Sequence, residues 1–290
     1  VVIEMKRVLL IIAFLSAVCL CRAQKQEYSF VVGESLTYVL NYTWGGVSTD
    51  VGEAVTNISY ADGMYNAVIT GRTYRFYDLI FTVREHFESN FYSDSLKPHT
   101  FYRKTQEGKY RITSTAKYNN SDYTIQTHIE KNNLAPLDTL MQGNKYTQDL
   151  PSLFYKIRSL DFSNLQVGAE LFLSFAIDDD IHNLYYRYEG KEVKKISRLG
   201  TFNALKFSAY LKTGKIFTGE EPINVWVTDD ENKIPLCFEA PIFVGTVFGV
   251  LKDGAFDYLL LWSVKTICSI VIIIVASVST VGVVMRKLLK

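Results

Sequence analysis

Four side chains spaced three apart, Asp149, Ser152, Tyr155 and Arg158, are the set most able to do chemistry in this 290-residue chain. A carboxylate, a hydroxyl, a phenol and a guanidinium on one helix could share protons or hold an anion. The same spacing has a structural reading, in which Asp149 caps a helix and Arg158 anchors that helix to neighbouring strands. The structural reading is the preferred one. A second pair, Trp226 and Asp229, could form a ligand-binding spot beside a hairpin. A packing aromatic and a turn former explain the two equally well, and that assignment is favoured.

Asp178-Asp179-Asp180 invites a calcium site. In an extended chain Asp178 and Asp180 face one way and Asp179 the other, so at most two could meet one ion. Calcium takes about 6–8 oxygens, and no glycine follows to shape a loop, so a solvated turn is expected. His86, His99, His128 and His182 have no metal-ligand spacing. Cys237 is the one cysteine of the four within the expected domain, and it reads as a small buried apolar side chain rather than a nucleophile. No cofactor motif is present. A net charge of +1 gives no electrostatic reason to expect nucleic acid.

The elements that must position these residues read mainly as β. Tyr (19) and Phe (18) are abundant while Pro (6) is scarce, a balance that suits half-buried pleated surfaces. Residues 221–251 read as a hairpin and a further strand. Ile223, Val225 and Val227 alternate with polar or aromatic neighbours, the polar run 229–233 turns, and Ile234, Leu236 and Phe238 resume the alternation. A third strand is expected over 242–251. Upstream strands are expected over 34–43, 47–60, 64–74 and 78–88, then a meander over 97–104, 109–118 and 122–131. Residues 134–146 read as a long loop. Residues 150–160 read as one short amphipathic helix laid on the sheet, with Pro151 tolerated in its first turn. Strands resume over 170–177, 181–188, 192–197 and 201–211. The expected fold is a large curved antiparallel sheet, half-barrel or sandwich, in one continuous domain with two sub-sheets.

The ends carry topology signals. Met5-Lys6-Arg7, the apolar run 8–20 and Cys21-Arg22-Ala23 before Gln24 form a secretory leader, with Val1–Glu4 ahead of it. Residues 267–285 are nineteen without charge, enough to span a bilayer core, and Arg286, Lys287 and Lys290 follow. The expected organisation is a leader over 1–23, an extracytoplasmic domain over 24–252, a juxtamembrane stretch over 253–266, a span over 267–285 and a basic cytoplasmic tail over 286–290. Asp94-Ser95-Leu96 and Asp138-Thr139-Leu140 fit a short O-glycan pattern, and Asn41, Asn57 and Asn119 head N-glycan sequons.

Residues 149–158 resemble the D-x-x-S-x-x-Y-x-x-R segment of the bacterial family of unknown function numbered 3108. Leu199 to Ala204 and the W-x-x-D then x-x-P of Trp226 to Pro235 follow in order, with Gly245 in a closing strand. The resemblance covers residues 28–251 and implies an exported, mostly β protein of the cell envelope, with no activity attached. Three functions stay open: a non-enzymatic envelope protein binding a partner, glycan or lipid; a hydrolase or lyase using carboxylates such as Asp149 or Asp229; and a structural subunit of an envelope complex. In each, the expected membrane contact is the C-terminal span.

Overall fold

The structure is a computed structural model that describes residues 28–197, 199–211, 222–242 and 245–253. The expected leader, juxtamembrane stretch, membrane span over 267–285 and basic tail lie outside the described residues. Among the described residues no helix is long and apolar enough to cross a membrane.

Fifteen strands form a single sheet in the order β8-β7-β6-β5-β4-β3-β2-β1-β15-β14-β13-β12-β11-β10-β9. The first half is an uninterrupted meander: β1 (Ser35–Trp44), β2 (Val47–Ala61), β3 (Met64–Thr73), β4 (Val83–Tyr92), β5 (Pro98–Glu107), β6 (Tyr110–Asn119), β7 (Thr124–Lys131) and β8 (Leu137–Gln142). The second half runs back from β9 (Thr147–Gln148) through β10 (Glu170–Ile177), β11 (Asp180–Ile196), β12 (Gly200–Leu211), β13 (Ile223–Thr228), β14 (Pro235–Pro241) and β15 (Thr246–Asp253). The halves join where β15 pairs with β1. All pairings are antiparallel except β9 with β10. The expected two sub-sheets are thus one sheet. Register shifts in β1, β4, β11 and β13 bend it, as bulges do. It curls until Ala176 of β10 packs with Phe101, Ala116 and Ile125 of β5, β6 and β7.

Alternation reports which face is wet. In β6, Ile112, Ser114, Ala116 and Tyr118 are buried while Arg111, Thr115 and Lys117 are exposed, the pattern of a sheet solvated on one side. The enclosed side holds α2 (Leu150–Arg158), which the spacing of its apolar residues predicted.

Four expectations need correction. Residues 78–88 do not form one strand: α1 (Arg75–Asp78) and a connection precede β4 at Val83. The apolar run Leu79-Ile80-Phe81 that imitated a strand has no neighbouring strand and is exposed. The expected loop 134–146 contains β8, an edge strand that buries Met141 alone, so its periodicity is weak. The two strands expected over 181–188 and 192–197 are one, kinked at Gly190, whose φ of 111° a side chain disfavours. The last strand starts at Thr246, after a turn in which the Ile242 N–H donates to the Gly245 carbonyl.

Gly249 is required by packing. A Cβ there would stand 2.0 Å from the Phe238 ring on the adjacent strand. Gly249→Ala is expected to lower stability by about 1–3 kcal/mol through overpacking. The penalty should shrink in a Phe238→Ala background, because the two residues touch. Denaturant midpoints of the three variants check this, and equal penalties in both backgrounds would refute the contact.

Candidate functional site

Asp149, Ser152, Tyr155 and Arg158 meet on the enclosed face of the sheet, and each is committed to seating α2. Asp149 Oδ1 accepts from the Ser152 N–H (2.8 Å), and Ser152 Oγ accepts from the Asp149 N–H (3.1 Å). This reciprocal capping box satisfies two backbone donors that a helix start leaves open. Asp149 Oδ2 accepts from Ser89 Oγ of β4 (2.6 Å), which fixes the helix start to the wall. Burial pushes the Asp149 carboxyl up to about 6, against the Ser89 and Ser152 bonds that pull it down. Tyr155 packs edge-on to Phe30 (4.8 Å) and over Phe91 (6.2 Å). Burial raises its phenol well above the ordinary range, and the Glu34 carboxylate adds to that.

Arg158 ties three segments together. Its guanidinium donates to both oxygens of Glu34 (2.5 and 2.8 Å), to the Ser29 carbonyl (2.9 Å) and to the Asn232 carbonyl (3.1 Å). Both side chains of the ion pair are buried, 2% and 0% exposed. The strap Tyr28–Glu34, the helix and the loop 229–234 therefore converge on one cation.

Trp226 and Asp229 are both engaged with neighbouring side chains. Trp226 is buried. Its indole N–H donates to Glu192 Oε1 (2.5 Å), and Lys194 and Lys206 cover the ring at 3.4 and 5.3 Å. Asp229 accepts from Lys191 Nζ (2.7 Å), and its N–H donates to the Asn203 carbonyl. Within the expected turn 229–233, Asp230 is the residue whose Oδ1 accepts from Thr228 Oγ1 and the Asn232 and Lys233 N–H groups and so shapes it. Five polar residues in a row did not show which of them makes these bonds.

Asp178-Asp179-Asp180 forms the turn between β10 and β11, with Asp179 and Asp180 exposed as expected. Asp178 differs in being partly buried: it accepts from Arg103 Nη1 (2.5 Å) and Ser114 Oγ (3.0 Å) across the enclosed space. The described residues hold no cluster of three or more potential metal ligands. Cys237 is buried, and burial pushes its thiol up to about 11, so it stays protonated at neutral pH. Of the O-glycan triplets, Asp94-Ser95-Leu96 puts Leu96 fully in the core, and Asp138 is bonded to His128 (2.8 Å).

The arrangement no sequence period showed lies on the opposite, wet face of β2–β6. Register aligns Glu53, Arg72, Arg84, Gln106 and Arg111 in one row across five strands. It aligns Val55, Thr70, His86, Lys104 and Thr113 in the next. Between the rows is an open depression of about 470 Å³. Arg72 is bonded to Glu53 (2.6 Å) and Arg84 to Asp78 (2.6 Å), and the latter holds the Asp78 carboxyl down at about 2. Lys104 and Arg111 have no carboxylate partner among the described residues. Each of these cations sits in a strand at the right parity, but cross-strand register is what gathers them.

Beneath the trough, on the enclosed side, Glu85 Oε2 accepts from Thr105 Oγ1 (2.5 Å), to which Arg103 Nε also donates (2.9 Å). Glu85 Oε1 is buried with no hydrogen-bond partner among the described residues. Burial pushes this carboxyl up to about 7, with Thr105 and Arg103 pulling down and Glu107 and Asp178 adding to the rise.

A single curled sheet, plugged by one capped helix that a buried ion pair holds, defines a barrel-like β domain. It is similar to the crystal structure of a beta-barrel-like protein of domain of unknown function DUF1849 from Brucella abortus, at 12% identity and a TM-score of 0.51. That match covers 77% of this chain and 97% of the other and shows the fold alone. The chain belongs to the family described as Protein of unknown function (DUF3108), which matches residues 37–252. No curated protein matches it.

The buried chemistry sets two expected outcomes. Arg158→Met is expected to cost about 3–5 kcal/mol by stranding Glu34, and Glu34→Gln together with Arg158→Met should recover much of that loss. Urea unfolding of the three chains measures it, and a double variant as unstable as Arg158→Met alone would contradict it. For Glu85, the folded pKa of about 7 exceeds the ordinary 4.5. The folded state then binds more protons than the unfolded state, so stability falls as pH rises from about 4.5 through about 7. Glu85→Gln should flatten that part of the Tm–pH curve and raise Tm above pH 7; an unchanged curve would refute the burial of this carboxylate.

Proposed function

We propose that this is a non-enzymatic protein of the cell envelope whose wet-face trough binds the acidic headgroup of an envelope glycan or lipid. The leader 5–23 and the run 267–285 followed by basic residues support an exported domain tethered to the inner membrane, with its C-terminus in the cytoplasm. The observation that carries the binding reading is the pair Lys104 and Arg111. They are exposed and unneutralised, beside Arg72 and Arg84, around a depression of about 470 Å³. Guanidinium groups in a row offer forked donors to carboxylate or phosphate oxygens, and Arg72 and Arg84 are already oriented by their own carboxylates. The hydrolytic alternative finds less support. Asp149 is fully buried with an oxygen aimed at the Ser152 N–H, and Asp229 is paired with Lys191.

The test titrates the full chain, in zwitterionic detergent, with an acidic oligogalacturonide and with a short-chain monomeric phosphatidylglycerol, each against its neutral counterpart. Binding of one acid identifies the source of the headgroup. Lys104→Glu with Arg111→Glu should weaken it by about tenfold or more for each cation reversed. Two acids that fail to bind, or a double variant that binds like the natural chain, would overturn the reading. Fractionation supplies the location: peptides from Gln24 onward should stay with membranes after a carbonate wash, and their release would remove the tether.

A further inference from the structure

The end of the sheet carrying the β1–β2, β3–β4, β5–β6 and β7–β8 connections combines apolar tips with unpaired cations. In the β3–β4 connection Phe76, Leu79 and Ile80 are 69%, 85% and 76% exposed, and Trp44 at the neighbouring β1–β2 tip is 63% exposed. Val47 beside it is exposed as well. The connection is nevertheless held firmly. The Tyr74 N–H donates to the Val51 carbonyl (2.9 Å), Tyr77 is hydrogen-bonded to Thr49, and the Gly108 N–H donates to the Thr82 carbonyl (2.7 Å). Asp78 accepts from Thr73 (2.5 Å) and from two nitrogens of Arg84 (2.9 and 2.6 Å). The Phe81 ring lies against Gly108 of the β5–β6 turn. A tightly bonded loop thus presents its large apolar side chains to water instead of tucking them in. Each such side chain forgoes about 1.5–3 kcal/mol of burial, and clustered exposure of this kind marks an interaction surface.

The charges beside these tips indicate what covers them. Arg75 stands within the connection, Lys109 and Arg111 at the β5–β6 turn, and Lys131 at the end of β7. All four are exposed, and none has a carboxylate partner among the described residues. Asp50 and Glu107 are nearby carboxylates outside an ion pair, and Glu130 and Asp138 share the imidazole of His128; among the described residues of the β3–β4 connection itself, Arg75 is the one charge outside an ion pair. Apolar side chains at two neighbouring tips, an exposed indole and cations beside them suit a bilayer interface. We infer that this end docks onto an anionic bilayer surface, with Phe76, Leu79, Ile80 and Trp44 entering the headgroup boundary and Arg75, Lys109, Arg111 and Lys131 meeting lipid phosphates.

The topology adds a direction. β1 starts at Ser35 and β15 finishes at Asp253 at the opposite end, since Thr37 pairs with Asp253 and Thr43 with Thr246. The start of β1 and the finish of β15 are therefore about 30 Å from this end, ten residues of strand at about 3.3 Å each. If residues 267–285 hold one membrane, as proposed above, the docking end faces away from it. That orientation rests on the proposed tether; the docking itself does not.

The experiment places benzoylphenylalanine in the full chain at position 80, or at position 121 in the β6–β7 turn of the opposite end. Each protein is irradiated with vesicles of phosphatidylglycerol and phosphatidylethanolamine, or of phosphatidylcholine alone. Expected is lipid crosslinking from position 80 on the anionic vesicles, little on the neutral ones, and little from position 121. Arg75→Glu and Lys109→Glu should each lower the yield about fivefold. No lipid adduct from position 80, equal adducts on neutral vesicles, or an adduct to a second copy or another protein instead would overturn the inference. Monomeric headgroup binding at the trough is scored separately, so either reading can fail alone.

Discussion

The buried ion pair between Arg158 and Glu34 organises the enclosed side of this fold. Neither group could be there alone, because an unpaired charge in an apolar interior costs several kcal/mol. Once paired, the guanidinium still has donors to satisfy, and the Ser29 and Asn232 carbonyls accept from them. The strap 28–34, α2 and the turn between β13 and β14 are thereby placed relative to one another. Tyr38 extends the same arrangement by donating from its hydroxyl to the Pro235 carbonyl (2.9 Å). The core around Leu36, Leu236 and Leu251 forms where these segments meet.

This gives a physical meaning to the segments that carry the family resemblance. D-x-x-S-x-x-Y-x-x-R spells a cap, its reciprocal partner, a buried aromatic and an anchoring cation. The W-x-x-D region supplies Trp226 beneath Lys194 and a turn whose Asn232 carbonyl receives Arg158. Asn203, from the segment between them, accepts from the Asp229 N–H. These residues specify how a helix sits inside a curled sheet. The trough and the apolar-tipped end use other positions, on the wet face of β2–β6 and in the connections of the first half, so the motif, on α2 and β12–β14, and the candidate binding surfaces occupy different strands of the same sheet.

Much of the fold was legible. The helix, the β13–β14 hairpin and most strands announce themselves by period and by turn residues. What was misread has local causes. Leu79-Ile80-Phe81 looked like strand because apolar residues are normally buried, whereas here they face outward. β8 looked like loop because an edge strand buries little and so alternates little. The single strand β11 looked like two because Gly190 interrupts it. Asp178 looked solvated because Arg103, its partner, is 75 residues away.

From its residues alone this chain determined a mainly β domain with one capped helix, because two-residue and helical periods are set by local backbone geometry. It also determined which residues cap and turn, since those bonds span three or four positions. Tertiary structure alone decided that the strands make one curled sheet, that Arg158 meets Glu34, and that Arg72, Arg84, Lys104 and Arg111 share one face. Those relations depend on register between strands and on closure over long stretches of chain, and a one-residue slip would send each of those cations to the other side.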